Sequence, residues 1–215
     1  SAASDVYKRQ RLNTSKSIKK QQIGLSEDDS RYCLVHLQAE MPTVLWQEKP
    51  YSAELLCQQA VGNLKNFTII RPIPHHYIWR KSLFLAKQAN QDIIYRQIIQ
   101  VLKQELPIVL EEIYFDYLIE PITESDSVRI VIYALRKNFA QPLMLNTSTI
   151  LDCELHCAQR ALHFLYPEST ENQYHFRGKT VQFKAHEPIF SDISQGLGVN
   201  DDPLYLTALG AALWS

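Results

Sequence analysis

The sequence predicts an α/β protein with a compact strand–helix–strand–strand unit set into it. Three observations carry that reading. Short runs with a two-residue apolar period alternate along the chain with stretches of helical period. The strongest helical stripe, within Gln91 to Leu106, is flanked on both sides by strand patterns rather than by further helices. The composition, 46% hydrophobic and 21% charged over 215 residues, suits an ordinary globular chain of one or two domains.

Residues 1–20 are set apart as a non-native or disordered lead-in. "SAASDVYKRQ" shares no pattern with the rest of the chain and resembles translated adapter sequence, and Arg11 to Lys20 is polar and basic. The native start is therefore expected to be missing. Three strands are predicted next, Gln22 to Leu25, Tyr32 to Gln38 and Thr43 to Gln47. In the second, Cys33, Val35 and Leu37 share one face. Pro50 and Ser52 introduce a helix over Ala53 to Val61, which Gly62-Asn63 stops.

"FTIIRPIP", Phe67 to Pro74, is an apolar strand ended by prolines, and Tyr77 to Ala86 is another, with Ile78, Arg80, Ser82 and Phe84 on one face. Asn90 caps the helix Gln91 to Leu106, whose stripe is Ile94, Tyr95, Ile98, Ile99, Leu102 and Leu106. Pro107 ends it. Strands over Ile113 to Ile119 and Val128 to Leu135 come after it, joined by the turn-forming Glu120 to Ser127. A strand at Thr149 to Leu151, a helix over Asp152 to Tyr166, a hairpin turning at Gly178, a loop with Gly196 and Gly198, and a small-rich terminal helix "LYLTALGAALW" complete the reading.

Net charge is −1, from 22 basic and 23 acidic residues, so no field of one sign favours nucleic acid or anionic lipid. Arg80, Lys81, Arg136 and Lys137 lie near Trp79 and Tyr133, but strand alternation splits them between faces. Four scattered cysteines, no signal-peptide pattern and no apolar run of about 20 residues lead to the expectation of a reduced, cytoplasmic setting.

No catalytic set or metal site emerges. His156 and Cys157 follow Cys153 by three and four residues, the spacing of one helix face, but the leucine stripe points the other way and His163 is about two turns on. His75 and His76 have no visible carboxylate or nucleophile partner. No phosphate loop, nucleophile elbow or dinucleotide fingerprint occurs among only six glycines. The acidic turn "SEDDS", Ser26 to Ser30, lacks the spaced oxygens of a calcium loop.

"QVLKQELPIVLEEIYFDYLIEP" and then "SVRIVIYALRK" carry a resemblance to a known family. A long helix breaks at Leu106-Pro107, steps through Leu110 to Ile113, enters a strand with Phe115-Asp116-Tyr117, and a later strand ends at Ala134 to Lys137. "LDCELHCAQRAL" adds Asp152, Glu154, Arg160 and Ala161, with Cys157 where the pattern has alanine, and "YLTALGAALW" closes the series. In that order these motifs resemble the PilM family of type IV pilus assembly proteins, nearest its short competence branch, ComA and HofM, used in DNA uptake.

The resemblance implies a reduced actin-like, or ribonuclease H-like, scaffold over residues 21–76 and 136–215, with residues 77–135 inserted as an interaction subdomain. It also implies recruitment of an inner-membrane PilN-like partner through its cytoplasmic tail, with membrane association only through that partner and self-association open. Two departures argue against nucleotide. The family's phosphate hairpin has an acid, a glycine and small residues, whereas Gln22 here precedes Ile23, Gly24 and Ser26 are kept, and three acids crowd the turn. Like charges facing a polyphosphate repel by roughly a kcal/mol or more each. Fewer than about forty residues separate Tyr166 from Leu204, too few for a second lobe. The expectation is a non-enzymatic adaptor without cofactor or metal, with Gly24 and Ser26 as a degenerate phosphate hairpin. Trp79, Leu102, Leu106, Pro107 and Tyr133 are the expected partner contacts. The alternative is an actin-like ATP-binding protein whose cleft a neighbour completes.

Overall fold

The computed structural model describes residues 21–38, 41–63, 67–168, 173–184, 187–191 and 202–214. The first three strands, β1 (Gln21–Glu27), β2 (Arg31–Gln38) and β3 (Met41–Glu48), form an antiparallel meander, and helix α1 (Ala53–Val61) leads into β4 (Phe67–Ile73). β4 pairs parallel to β1, and β8 (Thr149–Cys153) pairs parallel to β4, which gives the order β3-β2-β1-β4-β8. Only β2 runs against the rest. A five-stranded sheet of this order, with α1 between its third and fourth strands, is the actin-like, ribonuclease H-like scaffold.

Local chemistry places the boundaries. The Ser52 hydroxyl accepts from the Leu55 amide at 3.3 Å to start α1, and Gly62, at φ 72°, ends it in a backbone region that favours glycine. α1 covers one sheet face through Leu56 and Cys57, which pack on Ile23, Leu25, Leu34 and Ile69. The opposite face is covered by α3 (Glu154–Leu165) and the terminal helix α4 (Pro203–Ala212). Asp202 caps α4 by accepting from the Leu204 amide at 2.8 Å, and Pro203 supplies its first residue.

α4 is apolar all round because it is enclosed. A Cβ on Gly24 of β1 would stand 1.8 Å from the Ala208 carbonyl oxygen, and one on Gly210 would stand 1.6 Å from that of Cys157. The two glycines let the helix backbone touch a strand on one side and α3 on the other. A second small sheet, β9 (Gln173–Phe176), β10 (Lys179–Lys184) and β11 (Glu187–Ser191), adds Tyr174, Phe176 and Val181 to the same core. Its first turn, Arg177-Gly178, has positive φ at both residues, 49° and 77°, as a two-residue hairpin requires.

Between the adjacent strands β4 and β8 the chain leaves the sheet and builds a separate unit. It consists of β5 (Ile78–Ala86), helix α2 (Gln91–Glu105), β6 (Ile113–Pro121) and β7 (Ser127–Arg136), with the antiparallel order β5-β7-β6. Asn90 caps α2 through the Ile93 amide at 2.9 Å. Ile94, Ile98 and Leu102 then pack on Ile113, Tyr117, Val128, Ile130, Ile132 and Ala134. This is the predicted strand–helix–strand–strand element order.

Four expectations change in detail. The strand expected from Tyr77 begins at Ile78, because His75–Tyr77 form a single 3-10 turn after Pro74. The helix expected from Asp152 begins at Glu154, because β8 runs on to Cys153 and the Asp152 carboxylate binds the Cys153 amide at 2.8 Å. Cys157, expected away from the leucine stripe, is buried with Ile70 and Ala211, since α3 is covered on two sides. β11 has no counterpart among the predicted strands. The lead-in at residues 1–20 and the loop with Gly196 and Gly198 lie outside the described residues.

Candidate functional site

Open α/β sheets bind ligands at the carboxyl ends of their parallel strands. Here those ends are Glu27 of β1, the Pro74-His75 step after β4, and the Cys153-Glu154 step after β8. A phosphate would approach the turn after β1.

Most polar groups of that turn are already engaged. The Asp28 carboxylate accepts from the Ser30 amide at 2.8 Å, the Ser30 hydroxyl at 2.8 Å and the Arg31 amide at 2.9 Å. The Asp28 amide in turn donates to the Arg31 carbonyl at 3.1 Å. The Ser30 amide leads the contacts that hold the Asp28 carboxyl below its ordinary range. Burial alone would raise the Glu27 pKa, but the charges of Arg71 and Lys49 outweigh it and hold the carboxyl below its ordinary 4.5. Glu27 pairs with the buried Arg71 guanidinium and, at 2.7 Å, with Lys49.

The two residues assigned to a degenerate phosphate hairpin serve the terminal helix. Gly24 lies within β1, where it admits the α4 backbone. Ser26 is buried, with its hydroxyl 2.7 Å from that of Thr207. Because Thr207 donates to the Pro203 carbonyl at 2.9 Å, the Ser26 hydroxyl is the donor of the pair.

At the other two strand ends the structure corrects the reading of His75 and His76 as lacking a carboxylate. Register places Ile73 beside Cys153, so the residues just beyond them meet. Glu154, only 4% exposed, accepts from the His75 amide at 3.1 Å and stands 3.2 Å from His75 Nδ1. Its other oxygen lies 3.5 Å from Arg177 Nε, across from the β9–β10 turn. The missing signal was sheet order, since β4 and β8 are neighbours in space while the whole inserted unit separates them in sequence.

The second sequence cluster does not come together as ligands. The Cys157 thiol points at Asp152 Oδ2 at 3.7 Å, where Arg160 also pairs, and Arg160 reaches the Gly210 carbonyl at 2.8 Å. Burial pushes the Cys157 thiol well above its ordinary range and that of Cys153 up to about 11. These groups tie α3 to α4 rather than reaching outward. Three of the four basic residues are individually engaged as well: Lys81 pairs with Glu105 at 2.7 Å, Arg80 lies over Tyr133 and Lys137 over Tyr114.

In the inserted unit the expected contact residues divide. Leu102 is fully buried beneath α2 and is withdrawn as a surface contact. Trp79 and Leu106 pack against the same core, and Pro107 is exposed beyond the helix. Tyr133, opposite Arg80 in the register, belongs to the other sheet face. That face carries rows of Phe84, Arg129 and Glu120, then Ser82, Val131 and Leu118, then Arg80, Tyr133 and Asp116. Phe84 is 64% exposed and Leu118 43% exposed, the two largest open apolar groups on it. Burial raises the Tyr133 pKa, while Asp116 at the end of the third row is exposed.

Comparisons with protein families and with curated proteins give no match. Among solved structures, the chain is similar to one titled "PilM-PilN type IV pilus biogenesis complex", with a TM-score of 0.54 and 13% identity over 79% of this chain and 60% of that one. A second is the cytoplasmic domain of EpsL, an inner membrane component of the type II secretion system of Vibrio cholerae, with a TM-score of 0.49 and 9% identity over 80% of this chain and 70% of that one. The first likeness is one of fold. The chain spans 60% of the length of the chain it matches there. Among the described residues no helix is long and apolar enough to cross a membrane.

Proposed function

We propose that this chain is a cytoplasmic, non-catalytic scaffold of a type IV pilus or competence DNA-uptake machine. It recruits an inner-membrane PilN-like protein by holding that partner's cytoplasmic tail, and it meets the membrane only through the partner. The observation that carries the reading is the state of the β1 turn. The Glu27 carboxylate is engaged by Arg71 and Lys49, the Asp28 carboxylate by the Ser30 and Arg31 amides, and Ser26 by Thr207, so a phosphate bound through these groups would have to displace the fold's own contacts. The actin-like fold, met also in a solved PilM-PilN complex, supports the partner class.

The tail's seat in this reading is the open face of the inserted sheet. Phe84 and Leu118 offer apolar contact there, and Arg80 and Arg129 stand in the neighbouring rows. Trp79 and Leu106 pack on the α2 side and are not part of this surface.

The test is a calorimetric titration with a synthetic PilN-like cytoplasmic tail, set beside one with Mg-ATP. Saturable binding of the tail at about 10–50 micromolar, with none of Mg-ATP, is expected. Saturable micromolar binding of Mg-ATP would instead favour an actin-like ATP-binding protein whose cleft is completed by self-association.

A further inference from the structure

We propose that His75, His76 and Glu154 form a binding site for one divalent metal ion of the zinc class. Each offers a ligand atom, and the three atoms lie within 4.8 Å of one another. They come from two separate elements, the 3-10 turn after β4 and the first residue of α3.

The geometry of the Glu154–His75 pair is close to that of two ligands on one ion. A zinc tetrahedron with bonds of about 2.0–2.1 Å has edges of about 3.3–3.4 Å. His75 Nδ1 and Glu154 Oε1 stand 3.2 Å apart, so an ion fits where they now share a proton, with the neutral imidazole carrying its proton on Nε2 instead. Glu154 is held from two directions. Oε1 accepts the His75 amide at 3.1 Å, and Oε2 lies 3.5 Å from Arg177 Nε. A carboxylate fixed in this way loses little freedom when it takes a metal.

His76 is the exposed member, in ring contact with Tyr77 at 4.3 Å between centroids, and it reaches the ion by turning its side chain. Two imidazoles and a carboxylate suit zinc, cobalt and nickel better than magnesium or calcium, which favour all-oxygen sets. They leave a fourth position for water or a partner's side chain. Arg177 opposes the ion electrostatically, so affinity is set by the balance between it and Glu154. Binding would tie the entry to the inserted unit to the first turn of α3.

Thiol competition is weak, because burial pushes the Cys33 and Cys57 thiols up to about 12. The experiment uses the full chain freed of metal with a chelator and titrated with zinc chloride, and cobalt chloride is added to a second sample. The expected result is one zinc per chain, a higher melting temperature, and a visible cobalt spectrum of tetrahedral type. His76→Ala, a change at an exposed side chain, weakens binding about 10-fold or more. Arg177→Gln tightens it several-fold, while His163→Ala leaves it unchanged. Absence of saturable zinc binding by the unmodified chain overturns the proposal, and so does zinc binding that His76→Ala leaves intact.

Discussion

The central sheet and the inserted sheet are built from similar strands, yet they differ in what covers them. The central sheet has α1 on one face and α3 with α4 on the other, and even its polar residues are enclosed: Arg71 holds Glu27, and Ser26 holds Thr207. Among the described residues the inserted sheet has a helix, α2, on one face only. Its other face leaves Phe84 and Leu118 in water beside Arg80 and Arg129. A turn whose contacts are already satisfied internally, as after β1, has little to offer a phosphate, whereas a sheet covered on one side retains a surface for a partner. Under the proposed function, recognition belongs to the insertion and stability to the scaffold.

The largest expected effect tests the enclosed half. Gly24→Val and Gly210→Ala each drive a side chain into a helix backbone that cannot retreat, so each costs more than about 3 kcal/mol and abolishes cooperative urea unfolding or soluble expression. If either variant unfolds normally, α4 is not clamped as described.

Next in size is the core of the insertion. Ile98→Ala or Leu102→Ala removes about 2–5 kcal/mol from that unit. Hydrogen exchange should then quicken in β5–β7 while amides of β1 and β4 keep their protection. Equal loss in both regions would mean that the two sheets unfold as one body.

Arg71→Met tests the polar interior, with an expected loss of about 3 kcal/mol because the Glu27 charge keeps only Lys49. Glu27 sets the sign of the pH dependence. Its folded pKa lies below the ordinary 4.5, so its contribution is complete above that value and is lost as pH falls through the lower folded pKa. In Arg71→Met, burial is less opposed, the folded pKa rises, and acid unfolding should begin at a higher pH. The smallest effect expected in this half is Ser26→Ala, about 1 kcal/mol, which leaves the Thr207 hydroxyl its bond to Pro203.

Much of the fold was legible because its signals are local. Asn90, Ser52 and Gly62 mark helix ends by capping chemistry, and the stripe Ile94, Ile98, Leu102 names the face that α2 buries. The order of the motifs also pointed to the actin-like class. The site was less legible, because contacts between distant segments leave no period to read. Nothing near His75 announces Glu154, and nothing near Gly24 announces that its missing side chain makes room for Ala208 rather than for phosphate. Alternation along β5 and β7 could have shown that Trp79 and Tyr133 face opposite ways, but this needs their register.

The most direct test of the central claim is a calorimetric titration of the PilN-like tail into the unmodified chain and into a Phe84→Asp, Leu118→Asp double variant. Both side chains are exposed, so stability should stay within about 0.5 kcal/mol per substitution. The account predicts saturable binding by the unmodified chain and at least about a 10-fold loss in the variant, equivalent to about 1.4 kcal/mol. Undiminished binding by the folded variant would contradict the assignment of recognition to the open face, and absence of binding by the unmodified chain would contradict the scaffold function itself.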